Sequence, residues 1–365
     1  MDLKGIDLTS GVKRVVDKCL SWERLSEEDA VLLYREAPLF LLSQLALRVK
    51  RAISGNEIYY NKNFHIEPTN ICTYNCKFCS YRKRASDKEA WDMSMEEISR
   101  YIDEHGNDAV TEVHLVGGVN PSHTLERYGQ IIGMVKKKLP HVAVKGFSAI
   151  EHIYMIEKAG LGYKEGLKRL MECGMDTITG GGAEIFCDKI RSRICPDKPG
   201  TDKWLALHRA AHELGMKTNA TMLYGHIEQI EDRVDHLAKL RALQDETDGF
   251  NAFIPLKYRN KNNSMSYLSE CSIIEDLKTL AISRLFWDNV PHIKAYWPMY
   301  GKQITELALL FGADDIDGTV QDTTRIYTMA GVNDRAMDEE ELRRMVVSAG
   351  FVPVERDTFY RKVGR

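Results

Sequence analysis

Three cysteines lie close together in this 365-residue chain: Cys72, Cys76 and Cys79, with the aromatic Phe78 directly before the last. Their spacing, Cys-x3-Cys-x2-Cys, lets three thiolates of one loop face the same small volume, and such soft ligands suit iron–sulfur clusters or zinc. Structural zinc usually has four ligands, and no fourth Cys or His follows at finger or ribbon spacing. On a four-iron cluster, three thiolates leave one iron open to a small molecule. The alternatives are a zinc site completed by a distant ligand, or three unrelated buried thiols.

Glycines and polar residues follow several short apolar runs. Gly117-Gly118 follows one such run; two glycines let a backbone approach a ligand closely, although an ordinary turn would use them too. Glu184 follows three consecutive glycines and could accept hydrogen bonds from a ribose or an ammonium group, or cap a helix. The segment Asn219–Glu228 closes the next apolar run. It begins with the candidate residue Asn219 and contains His226, a candidate acid or base. A lone histidine, however, is more often structural.

The elements that must position these residues alternate between strand-like and helix-like runs. The strand-like runs are Asn63–Pro68, Glu112–Val116, Ala143–Phe147, Thr177–Thr179, Thr218–Leu223, Asn251–Pro255, Ile293–Trp297 and, with a weaker pattern, Asp315–Val320. Alternating strands and helices predict a parallel sheet. Eight candidate strands favour an α/β fold of the TIM-type (β/α) barrel kind over an open sheet. In such barrels the chemistry lies at the carboxyl ends of the strands, which is where the cysteines and glycines fall.

The barrel expectation gives the histidines different roles. His65 and His114 alternate with apolar neighbours, so we expect them to point into the barrel as candidate catalytic residues. His208 and His212 would share one helix face and could bind a metal. Barrel helices lie away from the active face, so a structural role is the better expectation for this pair.

Three regions are predicted along the chain. Residues 1–57 form an N-terminal helical segment, which includes a capping-box pattern from Ser26 to Asp29. Residues 58–290 form the barrel core. Residues 291–365 complete or cap the barrel, with a helix and an extended piece near the end.

Composition excludes several classes of protein. The formal net charge is −3, with no basic excess that would favour a nucleic-acid partner and no polybasic run that would favour a membrane surface. We expect no secretory signal at the first residues, and no apolar run reaches the roughly 18 residues of a spanning helix. Eight cysteines are too few for a disulfide scaffold. We therefore expect a cytoplasmic protein whose cysteine cluster serves metal or redox chemistry.

The cysteine motif resembles that of the radical S-adenosylmethionine (SAM) superfamily, whose loop reads Cys-x3-Cys-x-aromatic-Cys. The resemblance implies a radical SAM barrel in which Cys72, Cys76 and Cys79 hold a 4Fe–4S cluster. The open iron would bind SAM, and an electron from an external donor would cleave it to methionine and a 5′-deoxyadenosyl radical. The resemblance also implies that Phe78 lies near the adenine and that Gly117-Gly118 contacts the amino group of SAM.

Further motifs narrow the resemblance. His65-Ile66-Glu67-Pro68-Thr69-Asn70, Gly180–Phe186, Asn219–Glu228 and Asp314–Thr319 are similar to the aminofutalosine synthase family of the futalosine menaquinone pathway. Cyclic dehypoxanthine futalosine synthases and the radical SAM enzymes of deazaflavin synthesis share most of these motifs. The sequence Met222-Leu223-Tyr224 and the residue Cys195 favour the synthase over the cyclase. One departure is Asn120, where relatives commonly have histidine.

The reaction that this resemblance implies is a radical addition. The 5′-deoxyadenosyl radical would add to the enol ether of 3-[(1-carboxyvinyl)oxy]benzoate, and aryl migration and loss of one carboxyl group would give 6-amino-6-deoxyfutalosine. Such a substrate brings two carboxylates, which need cationic or hydrogen-bonding partners when buried. The strand-end candidates for these partners are His65, Asn70, His114, Lys145, Asn219, His226, Lys257 and Arg259. The alternatives are a cyclase-like enzyme that abstracts hydrogen from a preformed nucleoside, and a non-enzymatic iron–sulfur protein.

Overall fold

The computed structural model describes residues 7–318, 324–332 and 336–364. The chain begins with a helical segment and an outer strand: α1 Ser10–Leu20, α2 Glu27–Glu36, α3 Leu39–Ser54 and β1 Glu57–Tyr60. The predicted capping box forms at the start of α2, where the Ser26 hydroxyl accepts a hydrogen bond from Asp29 N and the Asp29 carboxylate accepts one from Ser26 N. Pro38 precedes α3, as expected of a residue that cannot continue a helix.

The barrel core alternates strands and helices. Its elements are β2 Asn63–Ile66, α4 Met95–His105, β3 Glu112–Leu115, α5 Leu125–Lys138, β4 Ala143–Ser148, α6 Ala149–Lys158, α7 Tyr163–Glu172, β5 Thr177–Thr179, α8 Asp188–Ile194, α9 Thr201–Glu213, β6 Thr218–Tyr224, α10 Ile230–Thr247, β7 Phe250–Lys257 and α11 Ile273–Phe286. Ser94 and Ser148 begin α4 and α6 with capping boxes, so short polar signals fix where these helices start.

The C-terminal part adds the last strands and several short helices. Its elements are β8 His292–Ala295, α12 Trp297–Tyr300, α13 Lys302–Ala308, a 3-10 turn at Leu309–Phe311, β9 Asp315–Ile316, α14 Arg325–Met329, α15 Glu339–Ser348 and β10 Val352–Glu355.

The strands form two parallel sheets that together make the barrel. One sheet has the order β2-β3-β4-β5 and the other the order β10-β1-β9-β8-β7-β6. Hydrogen bonds join the sheets at both seams. Thr221 Oγ1 donates to Gly180 O over 2.6 Å between β6 and the end of β5. Asn63 Nδ2 donates to Asp317 Oδ1 over 2.6 Å between β2 and the end of β9.

The predicted strands are present, with shifted ends. The run Ile293–Trp297 ends as a strand at Ala295, and Trp297 begins the short helix α12. The weak run Asp315–Val320 forms a strand over Asp315–Ile316, and its last two residues lie outside the described residues. The outer strand β1 was not predicted; it lies between β9 and β10 and pairs in parallel with both.

One continuous apolar core joins the three predicted regions. It includes Val12 and Leu42 of the N-terminal helices, Ile66 of the barrel and Leu342 of α15. Burial of apolar side chains is the main stabilising contribution to such a fold. The division at residues 57 and 290 therefore stays a proposal about segments that share a core. Among the described residues, no helix combines the length and apolar character needed to cross a bilayer.

Candidate active site

The three motif cysteines lie on the loop that follows β2, and all are free thiols. Neighbouring segments hold this loop through its backbone: Cys72 N donates to Lys83 O over 3.1 Å, and Lys77 N donates to Ile194 O over 2.8 Å. The Asn70 amide adds two bonds, donating to Glu89 O over 2.9 Å and accepting from Trp91 N over 2.8 Å. The loop is therefore fixed by its surroundings before any metal is bound. Asn70 was a candidate partner for a carboxylate of the substrate, and in the structure its amide helps to hold the loop.

The surroundings of the thiols fit an iron–sulfur cluster. Burial raises the pKa of the Cys76 thiol, with a contribution from Cys79, and burial also raises the pKa of Cys79, with a contribution from Cys72. The thiols are thus close enough to influence each other, in a site where thiolates need a positive partner such as iron. Among the described residues, they do not form a compact set whose ligand atoms lie within 4.8 Å of one another. A single ion would need such a set, whereas a cluster offers each thiolate its own iron.

Gly117 and Gly118 pack against the cysteine loop. A Cβ at Gly117 would lie 2.8 Å from Thr69 O, and a Cβ at Gly118 would lie 2.3 Å from Ile71 O. Gly118 N also donates to Thr69 O over 2.8 Å. The pair therefore lets the end of β3 approach the loop backbone. Their predicted contact with SAM stays a prediction.

Glu184 and Phe78 line a cavity beside the cysteine loop. Glu184 has a positive φ of 52°, which an L-residue adopts at a conformational cost. Its carboxylate accepts a hydrogen bond from Lys198 Nζ over 2.5 Å. The same ammonium group lies 5.8 Å from the centre of the Phe78 ring. These contacts bring a cation, a carboxylate and an aromatic face together next to the cysteines.

Two cavities meet inside the barrel. The first has a volume of about 670 Å³ and reaches from the glycines after β5 down to the charged interior of the barrel. The second, beside Cys79, has a volume of about 600 Å³. Leu256, Ile326 and Tyr327 line both. The two cavities therefore form adjoining chambers separated by these three side chains.

A layer of charged and imidazole side chains closes the first cavity. His65, His114 and Lys145 face one another in register on β2, β3 and β4, and Lys294 of β8 and Asp317 line the same cavity. The His65 and His114 rings lie 4.8 Å apart between centroids. Burial and the neighbouring His114 lower the pKa of His65 to about 3. Burial lowers the pKa of His114 as well, against the influence of Glu112. Both rings are therefore neutral at pH 7.

Glu112 lies directly beneath this layer. Its Oε1 is 2.7 Å from His114 Nε2 and 3.3 Å from Lys145 Nζ, and its Oε2 is 2.9 Å from Arg356 Nη1. Burial alone would raise the pKa of Glu112, but Lys145 and Arg356 hold it well below its usual range. Sequence reasoning missed Glu112, Lys294 and Asp317. The only signal was a charged residue at an inward position of a short apolar strand.

The other predicted residues divide between the cavities and the structural framework. Asn219 lines the first cavity. His226 is not among the residues that line either chamber: its Nε2 lies 3.1 Å from Leu223 O, and its Nδ1 accepts from Ile227 N over 2.7 Å. His226 Nδ1 also lies 2.9 Å from Glu228 Oε2, so the ring is held within its own turn, and its role as an acid or base stays a prediction. His208 and His212 both contact the Thr218 hydroxyl, at 2.9 and 2.8 Å, as expected of a structural pair.

Lys257 and Arg259 line the second cavity but have protein partners. Lys257 Nζ donates to Asp276 Oδ2 over 2.7 Å and to Cys271 O over 2.9 Å. Arg259 Nη1 lies 3.1 Å from Glu270 Oε2. The positive charge of each is already matched by a carboxylate.

Glu67 connects the cysteine loop to the C-terminal part. Its carboxylate accepts hydrogen bonds from Arg325 N at 3.0 and 3.1 Å and from the Thr324 hydroxyl at 3.2 Å. The first turn of a helix has unpaired N–H groups that favour such an anion. Glu67 therefore holds in place the short helix α14, which carries Ile326 and Tyr327 of the shared wall.

Comparison with known proteins identifies the family. Residues 66–240 match the radical SAM superfamily, and residues 247–364 match the family described as the CofH/MqnC C-terminal region. Methylornithine synthase, at 18% identity, shares the fold with a TM-score of 0.74, over 93% of this chain and 97% of its own.

Curated relatives cover nearly the whole chain. It is 38% identical to the aminodeoxyfutalosine synthase of Thermus thermophilus, over 96% of this chain and 95% of that protein. It is also 38% identical to the aminodeoxyfutalosine synthase of Streptomyces coelicolor, over 97% of this chain and 94% of that protein. A cyclic dehypoxanthine futalosine synthase of the same Streptomyces is 33% identical, over 95% of this chain and 87% of that protein. The chain therefore belongs to the radical SAM superfamily and, within it, to the aminodeoxyfutalosine synthase family.

Proposed function

We propose that this chain makes 6-amino-6-deoxyfutalosine from SAM and 3-[(1-carboxyvinyl)oxy]benzoate, as a step of menaquinone synthesis. The observation that carries the proposal is the 38% identity to two aminodeoxyfutalosine synthases over nearly the full length of each chain. As a radical SAM enzyme the chain uses a 4Fe–4S cluster and SAM. We further propose an external electron donor, a cytoplasmic location, and no nucleic-acid or membrane partner.

The residues of the two chambers have distinct tasks in this reaction. Cys72, Cys76 and Cys79 would hold the cluster, which, when bound, supplies the electron that cleaves SAM to methionine and a 5′-deoxyadenosyl radical. Phe78 and Glu184 line the cavity next to these cysteines and would contact the nucleoside part of SAM. The enol ether would occupy the first cavity, with its double bond at the shared wall.

The apolar residues of the chambers protect the reaction. Val116 and Ile254 line the first cavity, and Leu256 lies between the two cavities. These side chains restrict the room for water and other reactants around a radical, which favours addition to the double bond held next to it. Loss of the acrylate carboxyl group together with one electron, as carbon dioxide or bicarbonate once that electron is passed on, would then complete the product and balance the electron spent on cleaving SAM.

The test is an anaerobic product assay. The protein with a reconstituted cluster is incubated with reductant, SAM and the enol ether, and the products are identified by mass spectrometry. We expect an adenosyl–aryl adduct that lacks one carboxyl group of the substrate. If only methionine and 5′-deoxyadenosine form, the chain has another substrate, and the nucleoside substrate of the cyclic synthase is tested next.

Cysteine variants control this assay. Replacing Cys72, Cys76 or Cys79 by alanine should remove cluster iron and abolish SAM cleavage, because each thiolate would hold one iron. Cys173→Ala is the matched control, since Cys173 follows the outer helix α7 and should leave iron content and cleavage intact. A triple variant with alanine in place of all three motif cysteines that still cleaves SAM would contradict the cluster assignment.

A further inference from the structure

The charged layer at the closed end of the first cavity has the character of an anion site. Lys145 of β4 and Lys294 of β8 enter it from the two sheets, with exposed fractions of 4% and 1%. Both line the cavity. Lysines are almost never this buried unless they are paired or serve a ligand.

Lys145 and Lys294 have ion-pair partners, but not all of their N–H donors are used. Lys145 Nζ contacts Glu112 Oε1 at 3.3 Å, and Lys294 Nζ contacts Asp315 Oδ2 at 3.4 Å and Asp317 Oδ2 at 3.7 Å. These distances exceed the 2.7–3.2 Å of a normal N–H···O bond, whereas Lys257 has a 2.7 Å bond to Asp276. An ammonium group has three N–H donors. Each of these two lysines therefore keeps donors that no described residue engages at normal distance.

Positive and negative charges are equal in number around this layer when no ligand is bound. The layer and the residues beneath it contain the cations Lys145, Lys294 and Arg356 and the anions Glu112, Asp315 and Asp317, joined by ion pairs such as Arg356 Nη2 to Asp315 Oδ2 at 2.8 Å. The ion pairs therefore hold the two lysines in place without an added counter-ion. A ligand that uses their remaining donors thus meets a preorganised site, which reduces the entropy lost on binding.

The position of the layer in the cavity indicates which end of the proposed substrate contacts it. The double bond that accepts the radical must lie near the wall shared with the cavity beside the cysteines. The carboxylate on the aromatic ring is at the other end of the molecule. It therefore reaches the end of the cavity that Lys145 and Lys294 line.

We propose that Lys145 and Lys294 bind the ring carboxylate of the substrate and so position its double bond at the shared wall. The inference rests on the proposed function and adds the residues that recognise one substrate group. Burial lowers the pKa of Lys145 to about 8, and an anion at this place would favour its charged form. The competing ligand is a divalent cation, because ligand atoms of His65, His114 and Asp317 lie within 4.8 Å of one another. The two ammonium groups beside that set oppose a cation, and their unused N–H donors can bind a carboxylate.

The test is a binding cycle without turnover. Binding of the enol ether to the cluster- and SAM-loaded protein is measured by calorimetry in the absence of reductant. The same measurement uses 2-phenoxyacrylate, which lacks the ring carboxylate, on the wild type and on Lys145→Gln and Lys294→Gln. Lys50→Met is the matched control. Lys50 is fully buried, but its ammonium group donates to backbone carbonyls of the N-terminal segment.

Each lysine variant should weaken binding of the enol ether about 10- to 100-fold, the usual effect of losing a hydrogen bond to a charged group. Binding of 2-phenoxyacrylate should be unchanged in the same variants, which also shows that they fold. The Lys50 variant should bind both ligands like the wild type. Equal weakening of both ligands, or no weakening, would overturn the proposal.

Two further probes separate the possible failures. If the wild type binds 3-hydroxybenzoate in a Lys145-dependent manner but not the enol ether, the carboxylate site stands and the proposed substrate is wrong. If it binds neither, both proposals fail. If Mn²⁺ or Zn²⁺ binds tightly and His65→Ala abolishes that binding, while the lysine variants bind the enol ether normally, the layer is a metal site instead.

Discussion

Single buried side chains decide how the site is held, and His236 is the clearest example. Its Nδ1 accepts from Phe186 N over 3.1 Å, and its Nε2 lies 2.9 Å from Thr221 O, to which it donates. The bond at Nδ1 requires the neutral ring, because a protonated Nδ1 cannot accept a hydrogen bond. Because the ring is also buried, its pKa falls to about 3. His236 thereby ties α10 to the segment that follows Glu184 and to β6.

This pKa predicts a pH dependence of stability. The unfolded chain takes up a proton at His236 near pH 6.5, whereas the folded chain does so only near pH 3. The contribution is therefore fully present above pH 6.5 and is lost as the pH falls towards 3. Between pH 7 and 5.5 the wild type should lose about 1 kcal/mol more unfolding free energy than His236→Gln. Urea unfolding measures this difference.

An exposed histidine provides the control for this measurement. His141→Gln removes an imidazole on the surface and should leave the wild-type pH dependence in place. Parallel curves for the wild type and His236→Gln would mean that His236 does not carry the effect.

At the scale of elements, the close approach of β3 to the cysteine loop is the feature most open to test. Gly118→Ala would place a Cβ 2.3 Å from Ile71 O, so the loop backbone has to move. We expect a loss of about 1–3 kcal/mol in stability, as for other overpacked sites, together with reduced iron after reconstitution. Iron analysis and urea unfolding measure the two effects.

The chain offers a matched glycine for comparison. Gly133 lies within α5, and a Cβ there would come no closer than 3.8 Å to Cys173 O. Gly133→Ala should leave iron content unchanged and gain up to about 1 kcal/mol from helix propensity. Full iron loading of Gly118→Ala would show that the glycine is not needed for the loop.

How far the sequence predicts these elements depends on local signals. Ser26 was enough to place the start of α2, and the alternation of strand-like and helix-like runs was enough to place the eight barrel strands. The outer strand β1 was missed because its four residues, Glu57–Tyr60, are defined by pairing with β9 and β10, far away in sequence. Such pairing depends on the register of the whole fold, which no local pattern shows.

The residues of the candidate site also differ in whether a local sequence pattern indicates them. Spacing alone indicated the cysteine cluster, and alternation indicated that His65 and His114 face inward. Lys294, Asp317 and Arg356 meet them only because distant strands close into a barrel. His226 illustrates the opposite case: a histidine at a strand end looks reactive in the sequence, but both its nitrogens contact the backbone of its own turn.

At the scale of the whole molecule, the link between Glu67 and α14 joins the two halves of the site. Removing it in Glu67→Ala takes away acceptors for Arg325 N and the Thr324 hydroxyl. Loss of hydrogen bonds to a charged group raises local opening about tenfold or more. We therefore expect trypsin to cleave after Arg325 about tenfold faster, as timed by mass spectrometry of the fragments at pH 8.

The control variant is Glu89→Ala. Glu89 is exposed and pairs with Lys83, so its loss should leave cleavage after Arg325 at the wild-type rate. Equal cleavage of wild type and Glu67→Ala would show that other contacts hold the helix.

The same link has a consequence for the order in which the enzyme matures. Glu67 and the cysteines leave the ribosome early, and Thr324 and Arg325 follow on the order of tens of seconds later at usual rates of synthesis. Until they arrive, the carboxylate of Glu67 has no helix to hold and the wall of Ile326 and Tyr327 is missing. In the nascent chain, the cavities next to the cysteines then lack the side chains of Ile326 and Tyr327. We therefore expect the cysteines to be most accessible to cluster delivery before Ile326 and Tyr327 are in place.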